Sequence, residues 1–495
     1  MDFFKKCGLI RKMQKRTKLQ PFFIISPIFP AYTDIERDHR NGMTMKEKGD
    51  NNLMRTTPYR VDTTDIYAMQ EVAPDRPLRF LLYCHDTYGL GHLRRTLALA
   101  EYFTRALPRA EVLIVTGAPL AHAFTLPPHV DYIKLPAVTK LCNGKYAARN
   151  LTADFTTVRD LRATLLRETA LAYKPDVFLV DHAPQGMAGE VLPTLFLLQA
   201  TMPHCLRVLG LRDIVDSGAD VRHTWAQEGI YHTLEHDYDL ILVYGTQRFY
   251  DIGHEYRLPS SLLSSIKYCG YLDRISPQDM AKQPEQTSSV ANASAQPLIV
   301  VTAGGGGDGF PLLSTYLRGL QQMPECLFKS ILVTGPLMRE DEQQTLQNLA
   351  ASLPTELVQL KTFIPNSISL FRSADLVVSM AGYNTVVELL ELRQRMLLVP
   401  RTTPRLEQYE RATRLAAAGL AQMIPPDALT PAHLMQCIQQ RLHMPSPHTA
   451  QFTMAGITFQ GQQMALQAIL EAKAELNDPI LHIEEYSTTA LFPVS

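Results

Sequence analysis

Short apolar runs alternate with helical patterns along most of the chain after its first 76 residues. Runs of this length suit strands that are buried on both faces, and their alternation with helices predicts parallel sheets. One series of runs begins at residues 78, 112, 174, 206 and 240, and a second begins at residues 298, 331, 374 and 396. The pattern therefore predicts an α/β protein with two doubly wound halves.

Segments without such runs set the boundaries of these halves. Residues 1–76 lack apolar periodicity and open with a basic, proline-interrupted stretch, so we expect a disordered extension rather than a signal peptide. Residues 274–296 are rich in Ser, Gln, Ala and Pro, and they predict a linker between a first domain at 77–273 and a second at 297–460. Residues 461–495 are predicted to form a C-terminal helix and tail.

Composition excludes several classes of protein. The 495 residues carry a formal net charge of −1, which does not favour a nucleic-acid partner. The seven cysteines are scattered and include no C-x-x-C pair, which argues against a disulfide scaffold or a zinc site. The sequence contains no run of about 18 apolar residues, so it predicts no transmembrane helix. We expect a cytoplasmic protein. A peripheral contact with the inner face of a membrane is an open alternative.

A small-residue turn lies between a strand and a helix of the second half. Residues 379–385 follow the apolar run at 374–378 and precede a predicted helix at 386–392. The backbone N–H groups at such a helix start carry partial positive charge and suit a phosphate group. Glu388, one turn into the helix, could reach two adjacent hydroxyls. An ordinary βα turn with a carboxylate near the helix start would explain the same residues.

The residues that follow this turn distinguish these readings. A strand at 396–400 ends in proline, and the next helix carries Gln408-Tyr409 and ends near Ala418-Gly419. This order resembles the C-terminal half of the MurG-like, family 28-type glycosyltransferases. The resemblance implies a GT-B fold, in which two Rossmann-like domains face each other across a cleft. It also implies that the first domain binds the acceptor and the second binds the nucleotide sugar.

The resemblance carries over to particular donor-binding residues. It implies that Glu388 binds the nucleotide ribose and that Gln408 contacts the donor sugar. Glu407 stands where the family often has a second Gln, which leaves the sugar open. The full set predicted to bind the nucleotide sugar is Gly89, Gly91, Gly304, Gly305, Gly306, Gly382, Asn384, Thr385, Glu388, Glu407 and Gln408.

The glycine-rich stretch at 304–309 formally matches a dinucleotide-binding motif, but its context does not. In a dinucleotide-binding unit the next strand should end in a carboxylate, and here it ends in Thr334-Gly335. The glycines instead permit a close approach of the backbone to a diphosphate or to the facing domain.

Three residues of the first domain are candidates for a general base. His92 follows Gly89 and Gly91 at a predicted helix start, whose positive end favours a neutral imidazole. Asp86 and Asp181 each follow a predicted strand, at the end where ligands of such sheets gather. A histidine that only caps its helix or packs at the domain interface would also fit His92. Arg212 and Asp213 could shape an acceptor pocket or belong to its rim.

Together with these residues, the resemblance implies an inverting glycosyltransferase. It would move a hexosyl or N-acetylhexosaminyl group from a UDP-sugar to an acceptor hydroxyl, the acceptor being a saccharide, a lipid-linked molecule or a small molecule. No Asp-x-Asp motif ends a strand, so we expect no essential metal and no cofactor. A sugar-nucleotide epimerase or hydrolase of the same fold and a non-catalytic nucleotide-sugar-binding protein remain alternatives.

Overall fold

Two parallel sheets organise the chain, and the first is built from residues 79–268. The computed structural model describes residues 76–85, 91–119, 121–140, 146–275, 296–323, 328–364 and 367–477. The predicted extension, apart from residue 76, and nearly all of the predicted linker lie outside these ranges. The strands of the first half are β1 Arg79–Cys84, β2 Glu111–Thr116, β3 Val130–Lys134, β4 Val138–Lys140, β5 Tyr146–Ala148, β6 Val177–Asp181, β7 Leu206–Arg212, β8 Leu240–Tyr244 and β9 Ile266–Tyr268. Seven of them form a parallel sheet in the order β3-β2-β1-β6-β7-β8-β9, and β4 pairs with β5 in an antiparallel hairpin.

Helices cover both faces of this sheet, as a parallel sheet requires. Their bounds are α1 Gly91–Ala106, α2 Phe155–Tyr173, α3 Leu192–Thr201, α4 Gly218–Gln227, α5 Ile230–His236, α6 Ile252–Glu255 and α7 Ser260–Leu263, with 3-10 turns at Ala121–Ala123 and Met187–Gly189. The central strands β1 and β6 are buried almost throughout, which explains why both read as continuous apolar runs in the sequence.

The second sheet has six described strands. They are β10 Leu298–Thr302, β11 Lys329–Val333, β12 Val358–Lys361, β13 Leu376–Ser379, β14 Met396–Leu398 and β15 Gln422–Met423, in the parallel order β12-β11-β10-β13-β14-β15. The helices that follow the linker are α8 Phe310–Gln322, α9 Glu340–Ala350, α10 Ser367–Ser373, α11 Tyr383–Glu391, α12 Glu407–Ala417, α13 Pro431–His443, α14 Thr449–Ala455 and α15 Gly461–Asn477, with a 3-10 turn at Pro426–Ala428.

Each sheet has one point at which its strand order reverses. In the first sheet, β1 lies between β2 and β6, and in the second, β10 lies between β11 and β13. The crevice outside the carboxyl ends of the strands at such a point is where ligands bind in open α/β sheets. Asp181 ends β6, and the turns around Gly304 and Gly382 follow β10 and β13. The topology thus brings Asp181 and these two glycine turns to the reversal points.

The last helix returns to the first half of the chain. The α15 helix packs against α1, β7 and β8. At its start, the Gly461 N–H donates to the Tyr271 carbonyl at 2.9 Å. The Gln462 side chain bonds both to the backbone N–H and to the carbonyl of Asp273, at 2.7 and 2.6 Å. The two halves are therefore joined by packing as well as by the chain between them. No helix of the described ranges has the length and apolarity needed to cross a membrane.

The sequence-based fold prediction is confirmed, with local differences. The predicted helix at 386–392 begins three residues earlier, at Tyr383, because Gly382 adopts the extended conformation of an N-cap residue. The short edge strands β3 and β9 were not predicted. Such strands have few residues and one unpaired side, so their apolar pattern is weak. The domain boundaries given above stay predictions.

Candidate active site

His92 and Asp181, two of the three candidate bases, are in direct contact. The His92 ring nitrogen Nδ1 lies 2.6 Å from the Asp181 Oδ2 oxygen. His92 is the second residue of α1, and Asp181 is the last residue of β6. Asp181 is 1% exposed, whereas the His92 side chain is 18% exposed. The pair therefore has a buried carboxylate and an imidazole that solvent or a substrate can reach.

Arg95 fixes the charge of the carboxylate. Its guanidinium donates to both oxygens of Asp181, from Nη2 at 2.7 Å and from Nε at 3.0 Å. Burial alone would raise the pKa of Asp181, but Arg95 and the His92 hydrogen bond outweigh burial and hold that pKa well below its ordinary value. Asp181 is thus an ionised acceptor with both oxygens in use, which suits it to orient His92 rather than to remove a proton itself.

Two further histidines surround His92. The centroid of its ring lies 4.5 Å from that of His85 and 5.4 Å from that of His182. Burial is the largest cause that lowers the pKa of both neighbours well below the ordinary value. These two imidazoles are therefore neutral and add no positive charge beside His92. Asp86 and Gly89, which were predicted to belong to this site, lie outside the described residues.

The loop ahead of α1 meets the small-residue turn of the second sheet. The Asn384 amide donates to the Gly91 carbonyl at 3.3 Å. A Cβ atom at Gly91 would lie 2.9 Å from that amide nitrogen, so a larger residue would force Asn384 to shift. The Asn384 Oδ1 oxygen accepts from Arg274 at 2.7 Å. Two predicted donor-site residues from opposite halves are thus in contact, 293 positions apart in the chain.

Glu388 lies in the second turn of α11 and is 6% exposed. The Ser367 hydroxyl donates to its Oε2 oxygen at 3.0 Å, and the Arg94 guanidinium lies 3.9 Å from Oε1. Burial raises the pKa of Glu388 above its ordinary value, although Arg94 and Arg274 act in the opposite direction. A ribose that binds here has to share this carboxylate with Arg94 or displace it. The role of Glu388 as a ribose ligand stays a prediction.

The glycines after β10 approach the neighbouring loop closely. Gly306 has φ +95°, and a Cβ atom there would lie 2.3 Å from the Thr334 carbonyl oxygen. Gly304 also has positive φ, at +61°, but a Cβ atom there would meet nothing within 4 Å. Gly304 and Gly305 are exposed, and Gly382 has similar open space. The turn thus presents uncovered backbone at the carboxyl end of the second sheet.

Glu407 and Gln408 begin α12 and are 4% and 8% exposed. Arg401 holds both side chains: its guanidinium lies 2.8 Å from Glu407, and its backbone N–H donates to Gln408 at 3.2 Å. Arg401 also pairs with Asp308 of the glycine-rich loop at 2.6 Å. The Glu407 Oε2 oxygen is buried and has no partner within the part of the chain that the structure describes. Thr385, in the first turn of α11, is half-buried.

A buried ion pair holds the two sets of residues together. Arg411 on α12 donates to both oxygens of Asp213, which follows β7, at 2.7 and 3.0 Å. The Tyr383 ring lies between two guanidinium groups, 5.5 Å from that of Arg95 and 5.7 Å from that of Arg411. The Tyr383 hydroxyl donates to the Tyr244 carbonyl at 2.8 Å. The turn that starts α11 therefore packs next to the His92–Asp181 pair.

Sequence reasoning did not assign a role to several of these residues. The structure adds His182, Tyr383 and Arg411 to the surroundings of the predicted site. His182 could have been found because it follows a strand end, where such sheets place ligands. The sequence did not indicate a special position for Arg411, because an arginine on an amphipathic helix fits the same pattern whether it faces solvent or a buried partner.

Within the described ranges no group of three or more His, Cys, Asp or Glu side chains is arranged to hold a metal ion. The predicted independence from metal stays a prediction.

Comparison with known proteins assigns the second half. A family model, the glycosyltransferase family 28 C-terminal domain, matches residues 298–467. This segment of the chain is therefore similar to the family 28 C-terminal domain. The resemblance to the MurG-like, family 28-type proteins is thereby confirmed for the part of the chain where the turn, Glu388 and Gln408 lie.

Individual proteins agree with this assignment. An uncharacterized glycosyltransferase of Methanopyrus kandleri is 26% identical over 150 residues, which cover 30% of this chain and 39% of that relative. The structure of Acinetobacter baumannii MurG has a TM-score of 0.50 and 17% identity, over 80% of this chain and 100% of that one. The UDP-GlcNAc 2-epimerase of Neisseria meningitidis, bound to UDP-GlcNAc, has a TM-score of 0.50 and 14% identity over the same shares. These likenesses establish the GT-B fold of a chain with a family 28 domain.

Proposed function

We propose that this protein is a glycosyltransferase that moves a hexosyl or N-acetylhexosaminyl group from a UDP-sugar to an acceptor hydroxyl. The observation that carries the proposal is the 2.6 Å contact between His92 and Asp181 next to the start of the family 28 turn. A buried carboxylate on Nδ1 of an accessible imidazole is the arrangement that a general base requires.

The proposed chemistry follows from the protonation of this pair. An ionised carboxylate only accepts hydrogen bonds, so the Asp181 Oδ2 oxygen at 2.6 Å accepts the Nδ1–H of His92, although the Arg95 Nη2 nitrogen also lies 3.0 Å from that ring atom. The Nε2 nitrogen then holds the lone pair and takes the proton of the acceptor hydroxyl. The hydroxyl oxygen attacks the anomeric carbon from the face opposite the diphosphate. The bond from that carbon to the diphosphate oxygen breaks with its electron pair, so the anomeric configuration inverts.

The second sheet would hold the donor. We assign the ribose to Glu388 and the sugar to Glu407 and Gln408. The diphosphate is assigned to the glycine turn at 304–306 and to the start of α11 at Gly382. Backbone N–H groups and the positive end of α11 can stabilise the charge on the departing diphosphate. This assignment rests on the family 28 match and on the open backbone of both turns.

Saturation kinetics on His92→Ala test the proposed base. We expect kcat to fall by roughly 10²–10⁴-fold while the Kd for UDP stays within about twofold. His122→Ala, which removes an exposed histidine of the same half, is the matched control and should leave kcat unchanged. A folded His92→Ala protein with normal kcat would exclude His92 from the mechanism.

One observation favours a second candidate function. The chain has the fold of a UDP-GlcNAc 2-epimerase, an enzyme that acts on a sugar nucleotide without a sugar acceptor. Incubation of the purified protein with UDP-sugars, with and without cell extract, separates the candidates. Epimerised sugar nucleotide or UDP release without extract supports the epimerase or hydrolase. UDP release that requires the extract supports transfer, and binding without turnover indicates a non-catalytic nucleotide-sugar-binding protein.

A further inference from the structure

His182 and Arg212 form a hydrogen-bonded pair beside the proposed base. His182 follows β6 directly, and Arg212 ends the neighbouring strand β7. The Arg212 Nη2 nitrogen lies 2.8 Å from the Nε2 nitrogen of the His182 ring. His182 is 6% exposed, and its ring centroid lies 5.4 Å from that of His92. Neither residue has a role in the chemistry described above.

The pairing determines which ring nitrogen of His182 carries a proton. A guanidinium group has no acceptor atom, so the Nε2 nitrogen of the imidazole must accept from Arg212. Burial, followed by the charge of Arg212, lowers the pKa of His182 well below its ordinary value, so the ring is neutral. A neutral ring that accepts at Nε2 carries its hydrogen on Nδ1. His182 is therefore a fixed Nδ1–H donor.

Both members of the pair have an unused donor. The Nδ1 atom of His182 and the Nε atom of Arg212 are buried and have no hydrogen-bond partner among the residues that the structure describes. Buried donors are rarely left unpaired in native proteins, because they lose their bonds to water without replacement. Two unpaired donors in one hydrogen-bonded pair indicate a missing acceptor.

The backbone of His182 supports a functional reading. Its φ is +69°, in the left-handed region that residues other than glycine seldom adopt. Strain of this kind persists where the surrounding structure fixes the residue, and it is concentrated at binding and active sites. The His182 N–H donates to the Gly210 carbonyl of β7 at 2.7 Å, which holds the backbone in this conformation.

Arg212 also carries an unbalanced positive charge. The nearby arginines that act on it electrostatically each lie within ion-pairing distance of a carboxylate: Arg95 with Asp181, Arg405 with Asp216, and Arg411 with Asp213. Among the described residues no carboxylate forms an ion pair with Arg212, although the charge of Glu407 acts on it. Burial is the largest cause that lowers the pKa of Arg212, to about 10, so the group stays charged at neutral pH. A half-buried guanidinium that has no ion-pair partner among the described residues favours an anionic ligand.

We propose that His182 and Arg212 bind an anionic oxygen group of a substrate, a phosphoryl or carboxylate group, beside His92. Such a group supplies the acceptor that both unused N–H donors lack and the negative charge that Arg212 lacks. This inference adds a binding site to the proposed function, and it rests on the proposed function for the identity of the substrate. The anion belongs either to the diphosphate of the donor or to an acidic acceptor, and both would use the same two donors.

Binding of inorganic phosphate to the full-length protein tests the site without any need for turnover. Phosphate titrations followed by ³¹P NMR should show saturable binding by the wild type, weakened at least about tenfold in Arg212→Gln. Arg207→Gln removes an arginine at the other end of β7, where it pairs with Asp239, and should bind phosphate as the wild type does. No saturable phosphate binding by the wild type, or equal affinity in a folded Arg212→Gln protein, would overturn the proposal.

Two substitutions of His182 provide a second test that is free of backbone strain. Glycine and asparagine both accept a positive φ, so neither should unfold the turn. His182→Gly removes the donor and should lose phosphate affinity about as much as Arg212→Gln does. His182→Asn places an amide N–H near the position of Nδ1 and should retain most of the affinity. Equal phosphate binding by both variants would refute the role of the ring.

Titrations with UDP and uridine identify the source of the anion. If Arg212→Gln weakens UDP binding but leaves uridine binding unchanged, the pair binds the diphosphate of the donor. If UDP binding is unchanged while phosphate binding falls, the pair recognises an anionic acceptor. A chain that binds phosphate at Arg212 but transfers no sugar would retain this site while the proposed function failed.

Discussion

Replacing Arg411 with methionine should reveal how strongly the two halves depend on one buried ion pair. Arg411 and Asp213 are 0% and 1% exposed, and two hydrogen bonds of 2.7 and 3.0 Å join them. Methionine keeps much of the volume of arginine but removes the charge and every donor. The Arg411→Met variant therefore leaves a buried carboxylate without its cation.

The structure sets the size of the loss. Removing one partner of a buried ion pair typically costs about 3–5 kcal/mol, because the remaining charge is left uncompensated. Asp213 keeps two donors, the Ile214 N–H at 2.7 Å and the Tyr271 hydroxyl at 3.1 Å. The variant also loses the hydrogen bond from Arg411 to the Ala381 carbonyl. Because two donors remain on Asp213, we expect a destabilisation of about 3 kcal/mol, at the lower end of that range.

Arg414 is the matched control, one helical turn along α12. It also pairs with a carboxylate of the first half, Glu255, at 2.8 Å, but the two side chains are 35% and 31% exposed. Water screens such a pair, so Arg414→Met should cost no more than about 1 kcal/mol. The two variants differ in burial and share the helix, the residue type and the kind of partner.

Urea unfolding followed by two probes measures both losses. Far-UV circular dichroism reports the whole chain, and the fluorescence of Trp225, the only tryptophan, reports the first half. Combining Arg411→Met with Asp213→Asn should cost less than the sum of the single losses, since the double variant leaves neither charge unpaired. If Arg411→Met lost no more stability than Arg414→Met, the argument from burial would be refuted.

Three further predictions concern the donor site and the domain junction. Glu388→Ala should weaken UDP binding by roughly 1–3 kcal/mol through lost hydrogen bonds to ribose, and unchanged affinity by calorimetry in a folded variant would contradict the assignment. Transfer activity should survive EDTA; activity that EDTA abolishes and magnesium or manganese restores would contradict the predicted independence from metal. Burial raises the pKa of Glu391 from 4.5 to about 7, so between these values the native state holds a proton that the unfolded state has lost. That contribution is complete below pH 4.5 and is lost as the pH rises through about 7. Stability should therefore fall by up to about 3 kcal/mol over this interval, at about 1.4 kcal/mol for each pH unit. Urea midpoints measured across the interval should show a shallower fall in Glu391→Gln, and parallel curves would exclude Glu391 as the source.

Much of this fold could be predicted from the chain because its information is local. A strand buried on both faces must be apolar at every position, so β1, β6, β10 and β13 stood out in the sequence as continuous runs. The turn that precedes Glu388 was recognisable for a similar reason, because its small residues, strand and helix are consecutive. The match to the family 28 C-terminal domain confirms the resemblance for the segment that contains this turn.

The relation between His92 and Asp181 was not available from the sequence. Each stood beside a predicted strand or helix end, and the two were separate candidates for the same role. Their positions are 89 residues apart, and only the pairing of β1 with β6 brings α1 next to the end of β6. The contact with Arg95 favours His92 as the proposed base, because Arg95 holds Asp181 ionised and occupies both of its oxygens.

The contacts between the halves depended entirely on tertiary structure. Arg411 and Asp213 are 198 positions apart, and Asn384 and Gly91 are 293 apart. No periodicity or local motif encodes such a pair, because a charged side chain reads the same in the sequence whether it meets water or a buried partner. The sequence by itself determined the two sheets and the turns at their carboxyl ends. The tertiary packing within and between the halves decided which of those polar residues are buried, which are paired, and which, as in His182 and Arg212, keep a donor unused.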